Sequence, residues 1–375
     1  MSCGSWCDWV ASILKIPMTN LIPIHDAHRI DQLRGELRIE PGLLRRLRIA
    51  FFKKGATADD ALAQLPEGVR ERFAERVAFH PLRLDHRADS QQDGASKLIF
   101  KTDADYLIES VILRPGTGRT ALCVSSQVGC AAACDFCATG KMGMAHSLPA
   151  AAILDQLVQA NQLLAAEDRR VRNLVFMGMG EPLHNEENIY EVLAALANPQ
   201  LFHHSMNRVL VSTVGIPDAM IRLARRFPQV NIALSLHAVR QQAREQIVPL
   251  ARKHPVDQLR ATIQQLNTLQ GRPVMLEHLM LAGVNDSLDE ARELAAWCEG
   301  LLVHVNLIPY NPIAGAPHLI GTPPAERKAF AQVLKDAGVT TTTRYSMGQD
   351  IEAACGQLVQ QGNREVAKRA AAARA

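Results

Sequence analysis

The chain has 375 residues, of which 47% are apolar and 21% are charged, proportions that fit a folded globular protein and exclude wholesale disorder. No stretch approaches eighteen consecutive apolar residues, and residues 1–20 lack the basic segment and cleavage site of a secretion signal, so we expect a cytoplasmic protein that does not cross a membrane. The net charge of +3 is too small to indicate a nucleic-acid partner, which only the placement of the charges can do.

Residues 1–94 are predicted to form a small helical accessory domain that binds RNA. Leucine and phenylalanine recur between His28 and Lys54 with basic side chains among them, the pattern of short amphipathic helices with one buried and one basic face. A second helical stretch is predicted from Asp59 to Phe79. A basic face is usually only solvated surface, but here the arginines favour contact with RNA phosphates. The side chains expected to make this contact are Arg45, Arg46 and Arg48.

Residues 95–119 are predicted to link this domain to the rest of the chain as a β-hairpin. Segments 96–101 and 106–113 are rich in β-branched and aromatic residues, and a turn at Asp103 to Asp105 separates them. Two such runs joined by turn-forming residues are typical of an antiparallel pair of strands.

Residues 120–346 alternate between strands and helices, which predicts an α/β domain with a parallel sheet. The predicted strands are 120–125, 172–177, 208–213, 230–236, 274–280, 304–308 and 339–345. The predicted helices are 147–166, 186–197, 216–226, 255–269, 287–299 and 324–337. Because six or seven such units fall short of eight, we expect an incomplete (βα)6 barrel with its chemistry at the carboxyl ends of the strands.

Cys130, Cys134 and Cys137 follow the first predicted strand at short spacing. Three thiolates hold only three irons of a cubane, so they predict a 4Fe-4S cluster whose fourth iron stays open for a chelating substrate, the signature of radical S-adenosylmethionine (AdoMet) chemistry. The alternative is zinc, but a structural zinc has four ligands. No fourth cysteine or histidine lies at the spacing of a zinc finger, since Cys123 lies well upstream and Cys298 far downstream.

Several later strands are predicted to end in residues that bind a ligand. Gly180 lets the backbone approach a ligand closely, and Glu181 can accept from an ammonium group. Hydroxyl, imidazole and amide groups that could hold a ribose, a carboxylate or an adenine end three further strands, at Ser212, Ser235, His237 and Asn311. A tight strand exit or a structural histidine would explain each feature alone. Together with the cysteines they favour an AdoMet site.

Residues 347–375 are predicted to form a loop that carries Cys355, followed by a helical tail. A thiolate-bound cluster requires a reducing compartment, so any disulfide in this chain should be catalytic. Cys298 inside a predicted helix, and Cys3 and Cys7 near the amino terminus, are interpreted as inert thiols.

These segments together resemble the RlmN/Cfr family of radical AdoMet RNA methyltransferases. The resemblance spans roughly residues 96–358 and rests on six phrases, which are Cys123-Val-Ser-Ser-Gln-Val-Gly-Cys130, Phe136-Cys-Ala-Thr-Gly140, Gly178-Met-Gly-Glu-Pro182, Ser235-Leu-His237, Asn306-Leu-Ile-Pro-Tyr-Asn-Pro312 and Asp350-Ile-Glu-Ala-Ala-Cys-Gly-Gln-Leu358. It implies an incomplete barrel with an accessory domain, and methylation of carbon 2 or carbon 8 of an adenosine in 23S rRNA, with tRNA as a further substrate of some members.

The same resemblance implies a role for individual residues. Cys355 would take a methyl group from one AdoMet, a second AdoMet would supply a radical, and the methyl carbon would be joined to adenine. Cys123 would then release the adduct by forming a disulfide, and Glu109 would accept a proton. The implied AdoMet contacts are Gly180, Glu181, Ser212, Ser235, Leu236, His237 and Asn311. The implied partners are 23S rRNA, tRNA and an electron donor such as flavodoxin or ferredoxin, and the expected state is a monomer.

Two other functions remain open at this point. One is a radical AdoMet enzyme that acts on another RNA, a small molecule or a peptide, and the other is a non-catalytic RNA-binding relative that keeps the cluster as a scaffold. The pair Cys123 and Cys355 favours the methyltransferase, since neither rival needs two thiols. The first ninety or so residues lack the Phe-Arg and Trp-Ile-Tyr segments common in RlmN proteins, so the methylated carbon is left open.

Overall fold

The computed structural model describes residues 21–359 and 362–372, and Cys3 and Cys7 lie outside them. The chain begins there with short helices and a two-stranded parallel sheet. Their bounds are β1 Ile22–Pro23, α1 Ala27–Glu36, α2 Pro41–Arg48, α3 Ala58–Leu62, α4 Glu67–Ala74 and β2 Val77–Ala78. A π-helical turn at Ile49–Lys53 extends α2.

One face of α2 and its extension is buried against the rest of the molecule. The rings of Phe52 and Phe202 pack with their centroids 4.8 Å apart, and Lys53 Nζ donates to the carbonyl of Pro199 at 2.7 Å. Arg45 and Arg46 are exposed on the opposite face. The accessory helices therefore share a continuous apolar core with the α/β domain.

Arg48 corrects the prediction that three arginines of this segment face RNA. It follows the buried Leu44 by one helical turn and so shares its face. Its guanidinium lies 3.5 Å from the Asp31 carboxylate and donates to the carbonyl of Ala27 at 3.1 Å. Arg48 thus ties α2 to α1.

The predicted hairpin is confirmed, and it belongs to a larger sheet. Its strands are β4 Ala95–Lys101 and β5 Leu107–Leu113, which pair antiparallel. A further strand, β3 Arg83–Asp89, extends the sheet on one side, and β5 joins the α/β domain on the other. The sheet thus starts inside the range predicted as the accessory domain.

The α/β domain contains the remaining elements. Its strands are β6 Ala121–Cys123, β7 Gln127–Gly129, β8 Ala145–Ser147, β9 Asn173–Phe176, β10 Val209–Thr213, β11 Asn231–Ser235, β12 Val274–Met280, β13 Val303–Pro309 and β14 Thr341–Thr343. Its helices are α5 Ala150–Ala165, α6 Glu186–Ala197, α7 Pro217–Arg226, α8 Gln241–Ile247, α9 Val256–Gln270, α10 Leu288–Cys298, α11 Pro324–Asp336 and α12 Asn363–Ala372. None of the helices described is long and apolar enough to cross a bilayer.

The main sheet has ten strands in the order β14-β13-β12-β11-β10-β9-β6-β5-β4-β3. From β6 through β9 to β14 every pairing is parallel, which confirms the predicted incomplete barrel. In the described part of the chain β14 ends the sheet and does not pair with β6. The barrel therefore does not close, and an open seam remains between β14 and the paired strands β5 and β6.

The register of the parallel strands places polar residues side by side. Ser235 on β11 is the partner of Glu277 on β12, which is the partner of Asn306 on β13. Asn306 Nδ2 donates to the Glu277 carboxylate at 2.7 Å. Because parallel strands all point the same way, these side chains meet on one edge of the barrel.

Candidate active site

The cysteine segment leaves the barrel as a loop whose two ends are tied together. Strands β7 and β8 pair antiparallel on either side of it, with Gly129 opposite Ala145. Cys134 is buried, and Cys130 and Cys137 are half-buried. Apolar side chains from the carboxyl ends of β12 and β13 pack around the loop, so it lies where the barrel rule places the chemistry.

The three thiols lie in an environment that suits a metal-bound sulfur. Burial raises the pKa of Cys130 to about 12 and raises the pKa values of Cys134 and Cys137 as well. A bound metal replaces the proton of a thiol. Backbone amides then stabilise the sulfur charge, and the amides that donate to Cys130 and Cys137 belong to Ala132, Ala133, Thr139 and Gly140.

A first cavity opens beside these cysteines. It encloses about 880 Å³ including the space at its mouth. Its walls carry most of the ligand-binding residues predicted from sequence, namely Gly180, Glu181, Ser212, Ser235 and His237. Leu236 and Asn311 lie outside the lining. The cavity thus brings together the cysteines and the strand ends that the sequence placed far apart.

Glu181 is held as a buried carboxylate at this cavity. One oxygen accepts from the amide of Leu183 at 3.0 Å and the other from the amide of Val214 at 2.9 Å. Burial nevertheless raises the pKa of Glu181 to about 6. Gly180 before it has a φ of 105°, and a Cβ there would lie 2.5 Å from the Gln127 side chain. Only glycine fits at that point.

His237 and Glu277 each direct an unpartnered polar atom at a place a ligand could fill. The amide of Leu279 donates to His237 Nδ1 at 3.1 Å, so the ring hydrogen lies on Nε2. Burial lowers the pKa of His237 well below its usual value, which keeps the ring neutral. Among the described residues His237 Nε2 and Glu277 Oε1 are buried without a hydrogen-bond partner, and both residues line the cavity.

These observations fit the groups that the sequence implied. Three sulfurs with amide donors suit a 4Fe-4S cluster, while a carboxylate, two serine hydroxyls, a donor and an acceptor suit the polar groups of AdoMet. In the described residues no three His, Cys, Asp or Glu side chains surround a single metal ion. A cubane does not require that arrangement, because each thiolate binds a different iron.

Cys355 lies beside the cysteine loop, on a segment that is fixed by backbone bonds. The amide of Ala138 donates to the carbonyl of Gly356 at 2.7 Å, and Thr139 donates to the carbonyl of Leu358 at 2.6 Å. Asn311 Nδ2 donates to the carbonyl of Cys355 at 3.0 Å. The amide side chain that the resemblance assigned to AdoMet therefore positions the loop of Cys355 here.

Cys123 and Cys355 line a second cavity together with Arg344. Burial raises the pKa of Cys123 to about 12. The neighbouring Cys355, Glu277 and Cys123 raise the pKa of Arg344. Arg344 is thus a cation that lines the same cavity as both thiols.

Sequence reasoning missed both Arg344 and Glu277, although each left a signal. Glu277 is a charged residue in the middle of the apolar strand β12, and Arg344 directly follows β14. A charge in a buried strand, or at the carboxyl end of a parallel strand, points to a site.

The expected disulfide between Cys123 and Cys355 is not supported. All the described cysteines are free thiols, these two among them. Cys355 is held by its loop and Cys123 by strand β6, and formation of this disulfide during turnover stays a prediction.

Glu109 is buried on β5, outside the lining of both cavities. Its carboxylate lies 3.9 Å from Lys97 Nζ, and Lys97 also donates to the carbonyl of Glu352 at 3.4 Å. Val111, two residues further along β5, does line the second cavity. Since alternate residues share a face, Glu109 points to the same side of the sheet.

Arg244 connects the strand ends that form the first cavity, and its loss is expected to destabilise the fold. Its buried guanidinium donates to the carbonyls of Val214, Ser235 and Leu236 at 2.6, 3.2 and 3.0 Å. Arg244→Met removes all three of these buried charged hydrogen bonds, so we expect the free energy of unfolding to fall by about 3 kcal/mol or more, measured by denaturant titration.

Arg240→Met is the matched control, since Arg240 is largely exposed and pairs with Glu293 at the surface. Exposed ion pairs contribute little to stability. Equal losses in the two variants would contradict the role given to Arg244.

Comparison with known proteins agrees with this site. Residues 124–296 match the model of the Radical SAM superfamily. A probable RNA methyltransferase of Rhodopirellula baltica is 51% identical over 349 residues, 93% of this chain and 90% of that protein. A probable dual-specificity RNA methyltransferase RlmN of Thermus thermophilus is 41% identical over 322 residues, 84% of this chain and 88% of that one. The crystal structure of a radical SAM methyltransferase from Sphaerobacter thermophilus superposes with a TM-score of 0.84 at 36% identity, covering 90% of this chain and 97% of that chain.

The similarity runs through the cysteine loop and the strand ends that line the first cavity. It implies a 4Fe-4S cluster and AdoMet as cofactors, in agreement with the side chains found there. These relatives are similar to this chain over nearly its whole length rather than over the barrel alone. The chain therefore belongs to the RlmN/Cfr family of radical AdoMet RNA methyltransferases and is an enzyme of this kind.

Proposed function

We propose that this enzyme methylates a ring carbon, carbon 2 or carbon 8, of an adenosine in 23S rRNA, and that tRNA is a further substrate. The observation that carries the proposal is the position of Cys355, which lines the first cavity with the cluster cysteines and the second with Cys123. A sulfur so placed can take a methyl group on one side and present it on the other. A radical enzyme for small molecules needs no such pair of thiols.

When bound, the cluster and AdoMet would supply a radical that removes a hydrogen atom from a methyl group carried on the Cys355 sulfur. The resulting carbon radical can add to a ring carbon of adenine, which is too weakly nucleophilic for a polar methyl transfer. The chain's residues do the rest. Glu181 binds the ammonium group of AdoMet, and the neutral His237 donates from Nε2. The Cys355 sulfur accepts a methyl group from one AdoMet while its proton leaves, and a second AdoMet is used in each turnover.

Release from Cys355 falls to Cys123. The adduct joins the methyl carbon to both the Cys355 sulfur and the adenine ring. The Cys123 sulfur, after losing its proton, attacks the Cys355 sulfur; the carbon–sulfur electron pair leaves with the methyl carbon, which takes up a proton, and a sulfur–sulfur bond joins the two cysteines. An external dithiol reductant then restores both thiols. Formation of the sulfur–sulfur bond brings the two sulfurs into contact, so the Cys355 loop moves during turnover. Gly348 and Gly356, with φ values of 73° and 87°, bracket the segment that moves. Glu109 accepts the proton that the ring carbon loses.

The test is the RNA itself. Mass spectrometry of digested 23S rRNA and tRNA, from cells with and without the gene, should show a methyladenosine that depends on the gene, and its fragmentation identifies the carbon. Cys355→Ala should abolish the modification. Cys298→Ala, which removes a buried thiol at the end of α10 outside the lining of both cavities, should leave it intact. No gene-dependent methyladenosine in either RNA would refute the proposal.

Binding of AdoMet is expected to depend on pH through Glu181. Only the carboxylate form attracts an ammonium group, and the pKa of Glu181 is raised to about 6, so affinity should fall as the pH is lowered through about 6. Calorimetric titration of anaerobically reconstituted protein measures this. Glu181→Gln should bind AdoMet roughly 10-fold more weakly at pH 7, the effect of losing a charged hydrogen bond, and its affinity should not vary in this range. Identical pH profiles for the two proteins would exclude Glu181 as the ammonium site.

The partners follow from the same proposal. RNA phosphates contact the exposed Arg45 and Arg46, while Arg48 is excluded by its burial. Reduction of the cluster requires a one-electron donor, for which we propose flavodoxin or ferredoxin. We propose that the enzyme acts as a monomer.

A further inference from the structure

The second cavity occupies the open seam of the barrel. Its walls come from both sides of the gap, with Leu113 on β5 and Cys123 on β6 facing Thr342 and Thr343 on β14. Cys355 lies on the segment between them. The cavity has a volume of about 440 Å³, within the range of about 300–1000 Å³ that is typical of pockets for small ligands. A ring the size of a nucleobase has room to enter.

The two cavities divide the functional residues between them. The cluster cysteines, Glu181 and His237 line only the first, and Cys123 lines only the second. Cys355 and Arg344 line both. A group carried on the Cys355 sulfur is therefore reached by the cofactors from one side and by the contents of the seam from the other.

The walls of the second cavity suit a flat heteroaromatic ring. Leu113, Met177 and Ile308 supply apolar surface, and Asn306 and Ser346 supply polar groups. Apolar walls with a few polar groups are the usual composition of a small-ligand site.

Tyr345 stands at the mouth of this cavity with 88% of its surface exposed. Among the residues that the structure describes, the next most exposed large apolar residue is Ile320, at 67%. An aromatic ring left in solvent beside a cavity is typical of proteins that stack unpaired bases. Arg119, also exposed, lies on the loop between Pro115 and Ala121, both of which line the cavity, so a cation is present at the rim for a phosphate.

We propose that the seam admits the target base of a single-stranded RNA segment, and that Tyr345 stacks on the neighbouring base at the mouth. This inference rests on the proposed function and assigns its substrate a separate entrance. The cofactors fill the first cavity while the base enters the second. The cofactors and the base then reach the Cys355 sulfur from opposite sides.

Tyr345→Ala tests the stacking. Its affinity for an unstructured adenosine-containing RNA oligonucleotide, measured by fluorescence anisotropy with the cluster-loaded enzyme, should fall about 5- to 100-fold, as for loss of one base–aromatic stack. Tyr345→Phe keeps the ring and should bind like the unchanged enzyme. Ile320→Ala, a second exposed apolar side chain outside the seam, is the matched control and should also bind normally.

Methylation of Cys355 by AdoMet in the absence of RNA separates this inference from the proposed function. Mass spectrometry of the Cys355 peptide should show the same methylation in Tyr345→Ala as in the unchanged enzyme, because that step uses the first cavity. Ser346→Trp, which narrows the seam, should keep this methylation and lose transfer to RNA. Normal RNA affinity in Tyr345→Ala, or normal transfer in Ser346→Trp, would overturn the inference. If the unchanged enzyme shows no methylation of Cys355, the proposed function is refuted instead.

Discussion

Cys123→Ala is expected to leave the enzyme covalently attached to its RNA. Cys123 is buried on β6 and lines the second cavity together with Cys355. It does not line the first cavity, where the cofactors are expected. Methylation of Cys355 and attachment of the methyl carbon to adenine should therefore proceed, while release fails for want of a second thiol. Denaturing gel electrophoresis should show a protein–RNA species, and digestion should leave a modified nucleotide on the Cys355 peptide.

Two further variants control this experiment. Cys298→Ala also removes a buried thiol but should turn over normally, which excludes a general effect of losing a cysteine. The double variant Cys123→Ala, Cys355→Ala should form no adduct, because it lacks the sulfur to which RNA is attached. Normal turnover by Cys123→Ala alone would contradict the resolving role.

Cys134→Ala is expected to abolish the cluster. Cys134 is the buried member of the three cysteines. Without it, thiolates remain for only two of the four irons of a cubane. Iron analysis after anaerobic reconstitution should find about four irons per chain in the unchanged enzyme and almost none in the variant. AdoMet cleavage should disappear with the iron.

The same analysis distinguishes the cluster from zinc. Cys298→Ala should retain full iron content, since its thiol packs under α10 away from the cysteine loop. An anaerobic preparation of the unchanged protein that holds one zinc and no iron would contradict the assignment.

The sequence predicted the alternating elements of the barrel well because buried parallel strands are continuous apolar runs flanked by amphipathic helices. The predicted 274–280 coincides with β12, and 186–197 coincides with α6. Strand β3 was missed because its residues are largely exposed, so it lacks the alternation that marks a half-buried strand. The position of β3 in the sheet is determined by its pairing with β4, and this pairing cannot be predicted from the local sequence pattern of β3.

The site was predictable only where a motif states its chemistry locally. The cysteine spacing and the glycine before Glu181 carry that information in a few residues. The role of Arg344 depends on its position beside Cys123 and Cys355. These three residues line one cavity only because β6 and β14 lie on either side of the seam. Asn311 was assigned to AdoMet by resemblance, and its bond to the Cys355 backbone depends on how the carboxyl-terminal segment folds back. The functional roles given to these residues stay predictions.

The gap between β6 and β14 also has a topological consequence. A closed barrel would offer only its end as an entrance, and a nucleotide in the middle of a long strand would have to be pulled through a ring of loops. A barrel with a slit along its side can take hold of a polymer anywhere along its length and let go again sideways. Neither end of the RNA then has to pass the enzyme, however far away it lies.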